Sequence, residues 1–219
     1  CLNKMGENRL IGVYDYTVIA TILSAVLAVL GISCAGDNNP FGAITCLMLC
    51  GLLDSFDGLI ASTKKNRTKY QKRYGIQLDS LCDIISFGVL PCFVGMSCGM
   101  KSYWFFLIFA VYIFGAVSRL AHFNVTEEER QDETDERRKY YSGMPVTLSS
   151  VIIPVVCLLR YFVGDIFVWI IAVAILVCGV LFVTPIKLKK PTVSQSVAIV
   201  ILGIGIFIVH IALRFFYGM

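Results

Sequence analysis

The chain has 219 residues, 57% of them hydrophobic and 16% charged, with a formal net charge of +4 and a mean hydropathy of +0.77. A soluble domain of this size is nearer half apolar and a quarter charged, so a soluble enzyme and a disordered tail are both excluded. Continuous apolar runs also exclude an outer-membrane barrel, whose mark is short alternating strands.

A membrane-spanning helix needs about 20 mostly apolar residues. In chain order, spans are predicted over 17–34, 41–61, 80–98, 103–123, 145–163, 166–185 and 194–216, the fifth and sixth close enough to form a tight hairpin. The third is the weakest, because it carries Asp83 and Pro91. The reading is an all-α, polytopic transmembrane helical bundle: six helices form a core and a seventh, C-terminal span is added. Residues 1–16 are an N-terminal cytosolic or interfacial segment, 17–185 the membrane domain, and 186–219 a basic cytosolic loop with the extra helix. No cleavable signal peptide is expected, since the first run lacks a small-residue cleavage site followed by a polar region. The polar stretch 124–143 reads as a short surface helix, with Thr126 and Glu129 spaced as a capping box and Glu133 and Arg137 at i, i+4. Asn124-Val125-Thr126 matches a glycosylation sequon that the topology leaves unused. The nine cysteines are odd in number. Most of them, Cys34, Cys46, Cys50, Cys82, Cys92, Cys157 and Cys178, lie in apolar runs without CxxC spacing and read as small hydrophobes.

The distribution of charge orients the bundle. With the N-terminus inside, all but Lys101, Arg160 and Arg214 of the 19 basic residues fall on the inner face. The positive-inside rule therefore predicts a multi-pass protein of the cell membrane whose N-terminus is cytoplasmic. Its inner face is suited to anionic headgroups and phosphates. Lipid bilayer is the expected surrounding; no nucleic-acid partner is expected.

The acids are more informative. Asp54 and Asp57 lie at the inner end of the second span, and Asp79 and Asp83 at the inner start of the third. Spacings of i, i+3 and i, i+4 put each pair on one helix face, and the loop 62–78 returns the chain to the same membrane face, so the pairs can meet. Ionisable groups at such depth are costly and usually face a bundle interior or polar cavity. Four carboxylates in one cavity repel unless a cation joins them, and oxygen ligands without histidine suit Mg²⁺ or Mn²⁺ rather than zinc. The alternative is that they pair with Lys64, Lys65 or Arg119 and only hold the bundle together. Gly58 follows Asp57, Ala61 and Ser62 continue a narrow helix face, and Gly75 precedes Asp79 by four residues. Such small residues allow a neighbouring helix or a flat nucleotide base to approach. His210, in the middle of the last span, reads as a hydrogen-bonded bundle residue.

Asp54-Ser55-Phe56-Asp57-Gly58-Leu59-Ile60-Ala61, followed by Gly75-Ile76-Gln77-Leu78-Asp79-Ser80-Leu81-Cys82-Asp83, closely resembles the signature of the CDP-alcohol phosphatidyltransferases, D-x-x-D-G-x-x-A-R, a spacer, then G-x-x-x-D-x-x-x-D. The continuation through Ser86 to Pro91, the run Arg119-Leu120-Ala121-His122-Phe123-Asn124-Val125 and Ser142-Gly143-Met144-Pro145 resemble the serine-acceptor branch. The likeness covers roughly residues 15–185. It implies a divalent-metal enzyme that transfers a phosphatidyl group from CDP-diacylglycerol to the hydroxyl of L-serine and releases CMP at the cytoplasmic side. It also implies a homodimer. Carried onto this chain, Asp54, Asp57, Asp79 and Asp83 hold metal, and Asp83 is the general base. Gly58, Ala61, Ser62 and Gly75 line the nucleotide pocket; Ser86, Arg119 and Asn124 contact the acceptor. Two positions depart from the pattern. Ser62 stands where the motif has arginine, with a 12-residue spacer in place of eight or nine, and Lys64, Lys65, Arg67 and Arg73 are the candidates to replace that charge. His122 stands where the serine branch usually has arginine. Other readings are a family member with glycerol 3-phosphate or inositol phosphate as acceptor, a homologue that binds CDP-lipid without turnover, and an ion-coupled transporter. The transporter would spread its acids through the membrane and show inverted repeats.

Overall fold

The structure is a computed structural model that describes residues 12–64, 67–133, 140–189 and 193–217. After a 3₁₀ turn at Tyr16–Val18, the helices are α1 (Ile19–Gly36), α2 (Pro40–Thr63), α3 (Lys69–Asp83), α4 (Leu90–Ser97), α5 (Tyr103–Glu133), α6 (Ser149–Leu158), α7 (Arg160–Val163), α8 (Phe167–Val183) and α9 (Val193–Tyr217). Two three-residue strands, β1 (Tyr140–Ser142) and β2 (Lys187–Lys189), pair antiparallel with Tyr141 opposite Leu188. The all-α bundle is as the sequence predicts.

Among the described residues, six apolar helical stretches are long enough to cross a membrane. One of them, Val146–Val183, has 38 residues, about 57 Å of helix against a hydrocarbon core of about 30 Å. It breaks at Gly164, whose φ is +56°, and α6 folds back against α8, which is the expected hairpin. Polar groups near this end of the bundle find partners: Lys101 Nζ donates to Asn38 Oδ1 at 2.8 Å, and Arg214 lies 4.4 Å over the Phe41 ring.

The helices pack as lipid-solvated helices do, with small residues inward. On α1, Ala20, Thr21, Ser24, Ala28, Gly31 and Ala35 are buried, whereas Ile22, Leu23, Val26, Val29 and Leu30 are exposed. A Cβ on Gly31 would stand 2.8 Å from Cys46 Cβ and 2.9 Å from Leu90 Cδ1, so α1 sits directly on α2 and α4. The seam of α5 and α8 is tighter: a Cβ on Gly115 would overlap the backbone oxygen of Gly179. With no hydrophobic drive between helices in lipid, such close packing is what holds them together.

The third span differs most from its prediction. A single helical column runs from Lys69 to Ser97, with Thr68 and Gln71 forming a reciprocal capping box at its start. Its middle, Ile84–Val89, widens to a π segment in which Leu90 N–H reaches back to Ile85 O. The cause is local. Pro91 has no N–H for the carbonyl of Phe87, four residues earlier, and Tyr112 Oη donates to that carbonyl at 2.7 Å instead. Such bulges frequently mark functional sites, and this one begins directly after Asp83.

The short helix expected over 124–143 is not separate. Residues 124–133 continue α5, no breaker intervenes, and Thr126 donates to His122 O at 2.9 Å rather than capping. The Glu133–Arg137 pair lies outside the described residues. His210 is buried with Nε2 2.9 Å from Pro154 O, joining α9 to α6 as a bundle residue. The eight cysteines from Cys34 onward are free, and all but Cys34 are buried.

Candidate active site

The site forms between the second half of α2 and the second half of α3, both of which pack on α1. One carboxylate oxygen from each of Asp54, Asp57 and Asp79 comes within 4.8 Å of the other two. Asp79 Oδ1 is buried without a hydrogen-bond partner among the described residues. An orphaned carboxylate oxygen beside two more acids suits a hard divalent cation as a donor set, and such a cation would relieve the repulsion of like charges at this range. The residues present therefore fit the metal that the sequence implies.

Asp83 stands one turn further along α3. It is 8% exposed and within electrostatic range of Asp54, Asp79 and Asp57, but it is not one of the three whose oxygens converge. The π segment beyond it packs on α1 through Ser86, whose Oγ lies 3.2 Å from Ser24 Oγ. Thr21, on the same buried stripe of α1 as Ser24, donates to Asp57 Oδ2 at 3.3 Å. Sequence reasoning missed Thr21. The signal was there, because Thr21 and Ser24 are the hydroxyls on an otherwise alanine and glycine face.

Lys64 does not serve the acids: its Nζ is 2.7 Å from Asp15 Oδ2. That bond, with one from Thr17, holds the Asp15 carboxyl at about 2. With Tyr16 Oη 3.2 Å from Thr63 Oγ1, it clamps the chain before α1 to the end of α2. Lys65 lies outside the described residues.

The other predicted residues separate. Gly75 faces Arg67, whose Nη2 would stand 2.7 Å from a Cβ placed there. Gly58, Ala61 and Ser62 lie on the last turns of α2, and their side chains are outside the described residues. Asn124 accepts from Ser80 Oγ at 2.6 Å and donates to Gln77 Oε1 at 3.2 Å, joining α5 to α3. Ser86 is likewise engaged in a helix seam. Arg119 is buried, donates Nε to Met144 O at 3.3 Å, and lines a cavity of about 300 Å³ with Ser118, His122, Gly143, Phe182 and Thr184.

A polytopic helical bundle with a triad of acids at one end defines a membrane-embedded protein with a candidate site for a divalent cation. The profile of the CDP-alcohol phosphatidyltransferases matches residues 16–183, and the chain belongs to that family. It is similar to a yeast (Saccharomyces cerevisiae) CDP-diacylglycerol–serine O-phosphatidyltransferase, 31% identical over 54% of this chain and 43% of the relative. A Mycobacterium bovis protein of the same name is 26% identical over 78% of this chain and 59% of its own length. A Methanocaldococcus jannaschii protein, also of that name, is 26% identical over 83% and 76%. The chain thus spans about half the length of the first two.

Proposed function

We propose that this protein is a phosphatidylserine synthase. It transfers the phosphatidyl group of CDP-diacylglycerol to the hydroxyl of L-serine and releases CMP. The observation that carries the reading is the convergence of Asp54, Asp57 and Asp79 beside buried Asp83; the shared name of the relatives supports serine as acceptor.

In this reading Asp54, Asp57 and Asp79 hold the divalent cation, and Asp83 takes the proton. Mg²⁺ or Mn²⁺ held by these residues would supply the positive charge that stabilises the diphosphate and the departing CMP. The serine oxygen bonds to the lipid-side phosphorus, the bond from that phosphorus to the bridging oxygen breaks, and that oxygen leaves on CMP. The serine proton passes to the Asp83 carboxylate, which burial shields from competing water. Thr21 fixes the Asp57 carboxylate from behind. Gly58, Ala61, Ser62 and Gly75 keep the wall of the nucleotide pocket low. Arg119, in its cavity beside Ser118 and His122, is the contact for the acceptor carboxylate, while Ser86 and Asn124 serve the helix seams through Ser24 and Ser80. The acids face the cytoplasm, the N-terminus lies on the same side, and the protein works as a homodimer in the bilayer.

The test is CMP release by the purified protein with CDP-diacylglycerol and Mn²⁺ or Mg²⁺, offered L-serine, glycerol 3-phosphate or inositol phosphate. Release with L-serine alone is expected. Release with another acceptor reassigns the substrate, and no release with any acceptor overturns the enzyme reading. Full activity in Asp83→Asn overturns the base assignment.

A further inference from the structure

Two buried side-chain atoms lack a hydrogen-bond partner among the described residues: Asp79 Oδ1 and Arg67 Nε. They carry opposite charges, and the Arg67 guanidinium lies over Gly75, one turn of α3 before Asp79. Gly75, which Arg67 covers, precedes Asp79 by four residues, so the two share a helix face. Leaving a charged group buried and unpaired is expensive, and the cheapest relief would be for the two to pair with each other. They do not. Asp79 turns to Asp54 and Asp57, while Arg67 lies across Gly75 with Nη2 3.4 Å from Gln71 O. The separation makes sense if a cation meets Asp79 and an anion meets Arg67.

We infer that Arg67 is a phosphate-binding residue of the nucleotide site, which takes the diphosphate of the CDP-lipid and then the phosphate of the CMP product. The inference rests on the function proposed above. Three features place this role on Arg67 rather than on another cation of the long spacer. Lys64 is held by Asp15 at 2.7 Å. Arg73 is exposed, on the body of α3. Arg67 alone of these two arginines has its guanidinium laid over Gly75, the motif glycine nearest to Asp79, and it can stay there because residue 75 has no side chain: Nη2 would be 2.7 Å and Cζ 3.8 Å from a Cβ. A guanidinium is the group suited to grip phosphate oxygens in a fixed fork. The extra length of the spacer thereby returns a positive charge to a motif that has Ser62 where arginine is usual.

The experiment measures equilibrium binding of CMP and of cytidine, each with Mn²⁺ present, to the wild-type chain, Arg67→Gln, Arg67→Lys and Gly75→Ala in lipid nanodiscs. Wild type binds CMP more tightly than cytidine. Arg67→Gln weakens CMP binding by about 10- to 100-fold, the cost of one charge-assisted contact, and leaves cytidine binding within about twofold; Gly75→Ala, in the pocket wall, displaces Arg67 and weakens CMP binding at least as much. Arg67→Lys falls between, having charge without the fork. Cytidine binding reports folding in Arg67→Gln and Arg67→Lys. Equal CMP affinity in wild type and Arg67→Gln overturns the inference, as does an equal loss for cytidine. A wild-type chain that binds neither ligand overturns the proposed function instead.

Discussion

The two ends of the bundle solve different problems. At the end that holds Asn38, Lys101 and Phe41, polar groups pair with one another or lie on aromatic rings, and just below them the helices close on glycine and alanine. At the other end Asp54, Asp57 and Asp79 crowd together, and Asp79 Oδ1 and Arg67 Nε are buried without partners. The first arrangement lowers the free energy of the empty protein; the second raises it and is relieved by ligands. A membrane protein with weak forces between its helices can carry such a site only because the rest of the bundle is packed backbone to backbone.

Substitutions should separate the two ends. Asp79→Asn has the largest expected effect: CMP release falls by about 10³-fold, while the thermal midpoint of the metal-free protein rises, because one of three crowded charges is removed. A midpoint that falls would place Asp79 among the structural groups. Gly115→Ala should do the reverse. Its Cβ overlaps the Gly179 carbonyl, so α5 and α8 must part at a cost of about 2–3 kcal/mol, read as a lower midpoint; Mn²⁺ affinity should hold. Thr21→Val keeps the shape of the side chain and removes the donor to Asp57. Mn²⁺ should bind about tenfold more weakly, and Thr21→Ser should restore most of the loss. If Thr21→Val binds Mn²⁺ like wild type, Asp57 needs no support from α1.

The smallest effect belongs to the clamp between Asp15 and Lys64. Its side chains are 18% and 27% exposed, so the pair contributes under about 1 kcal/mol. The folded value of about 2 lies below the ordinary 3.8. The contribution is therefore complete above about pH 4 and is lost as the pH falls toward 2. Asp15→Asn should melt slightly below wild type at neutral pH, and the gap should close at the acid end. A gap that persists there would mean that the clamp acts through shape rather than charge.

The same contrast explains what was legible in the sequence. Charges in an apolar chain are conspicuous, so Asp54, Asp57, Asp79 and Asp83 could be read directly, together with the spans and the bundle role of His210. Side chains that act by being small are not conspicuous: nothing near Gly115 or Gly179 announced that two backbones touch there. The π segment was hidden for another reason. Pro91 signals a lost hydrogen bond, but the replacement comes from Tyr112, on a different helix. The cap at Thr68 and Gln71 was readable and was passed over because the apolar run starts later. Thr126 and Glu129, three residues apart, imitate a cap inside α5.

The central claim is that Asp54, Asp57 and Asp79 together hold a divalent cation. Titration of Mn²⁺ into the purified protein, followed by electron paramagnetic resonance, tests it without turnover. Saturable binding that Mg²⁺ displaces and that Asp79→Asn abolishes is the predicted result. Binding that is absent in wild type, or unchanged in Asp79→Asn, would contradict the account.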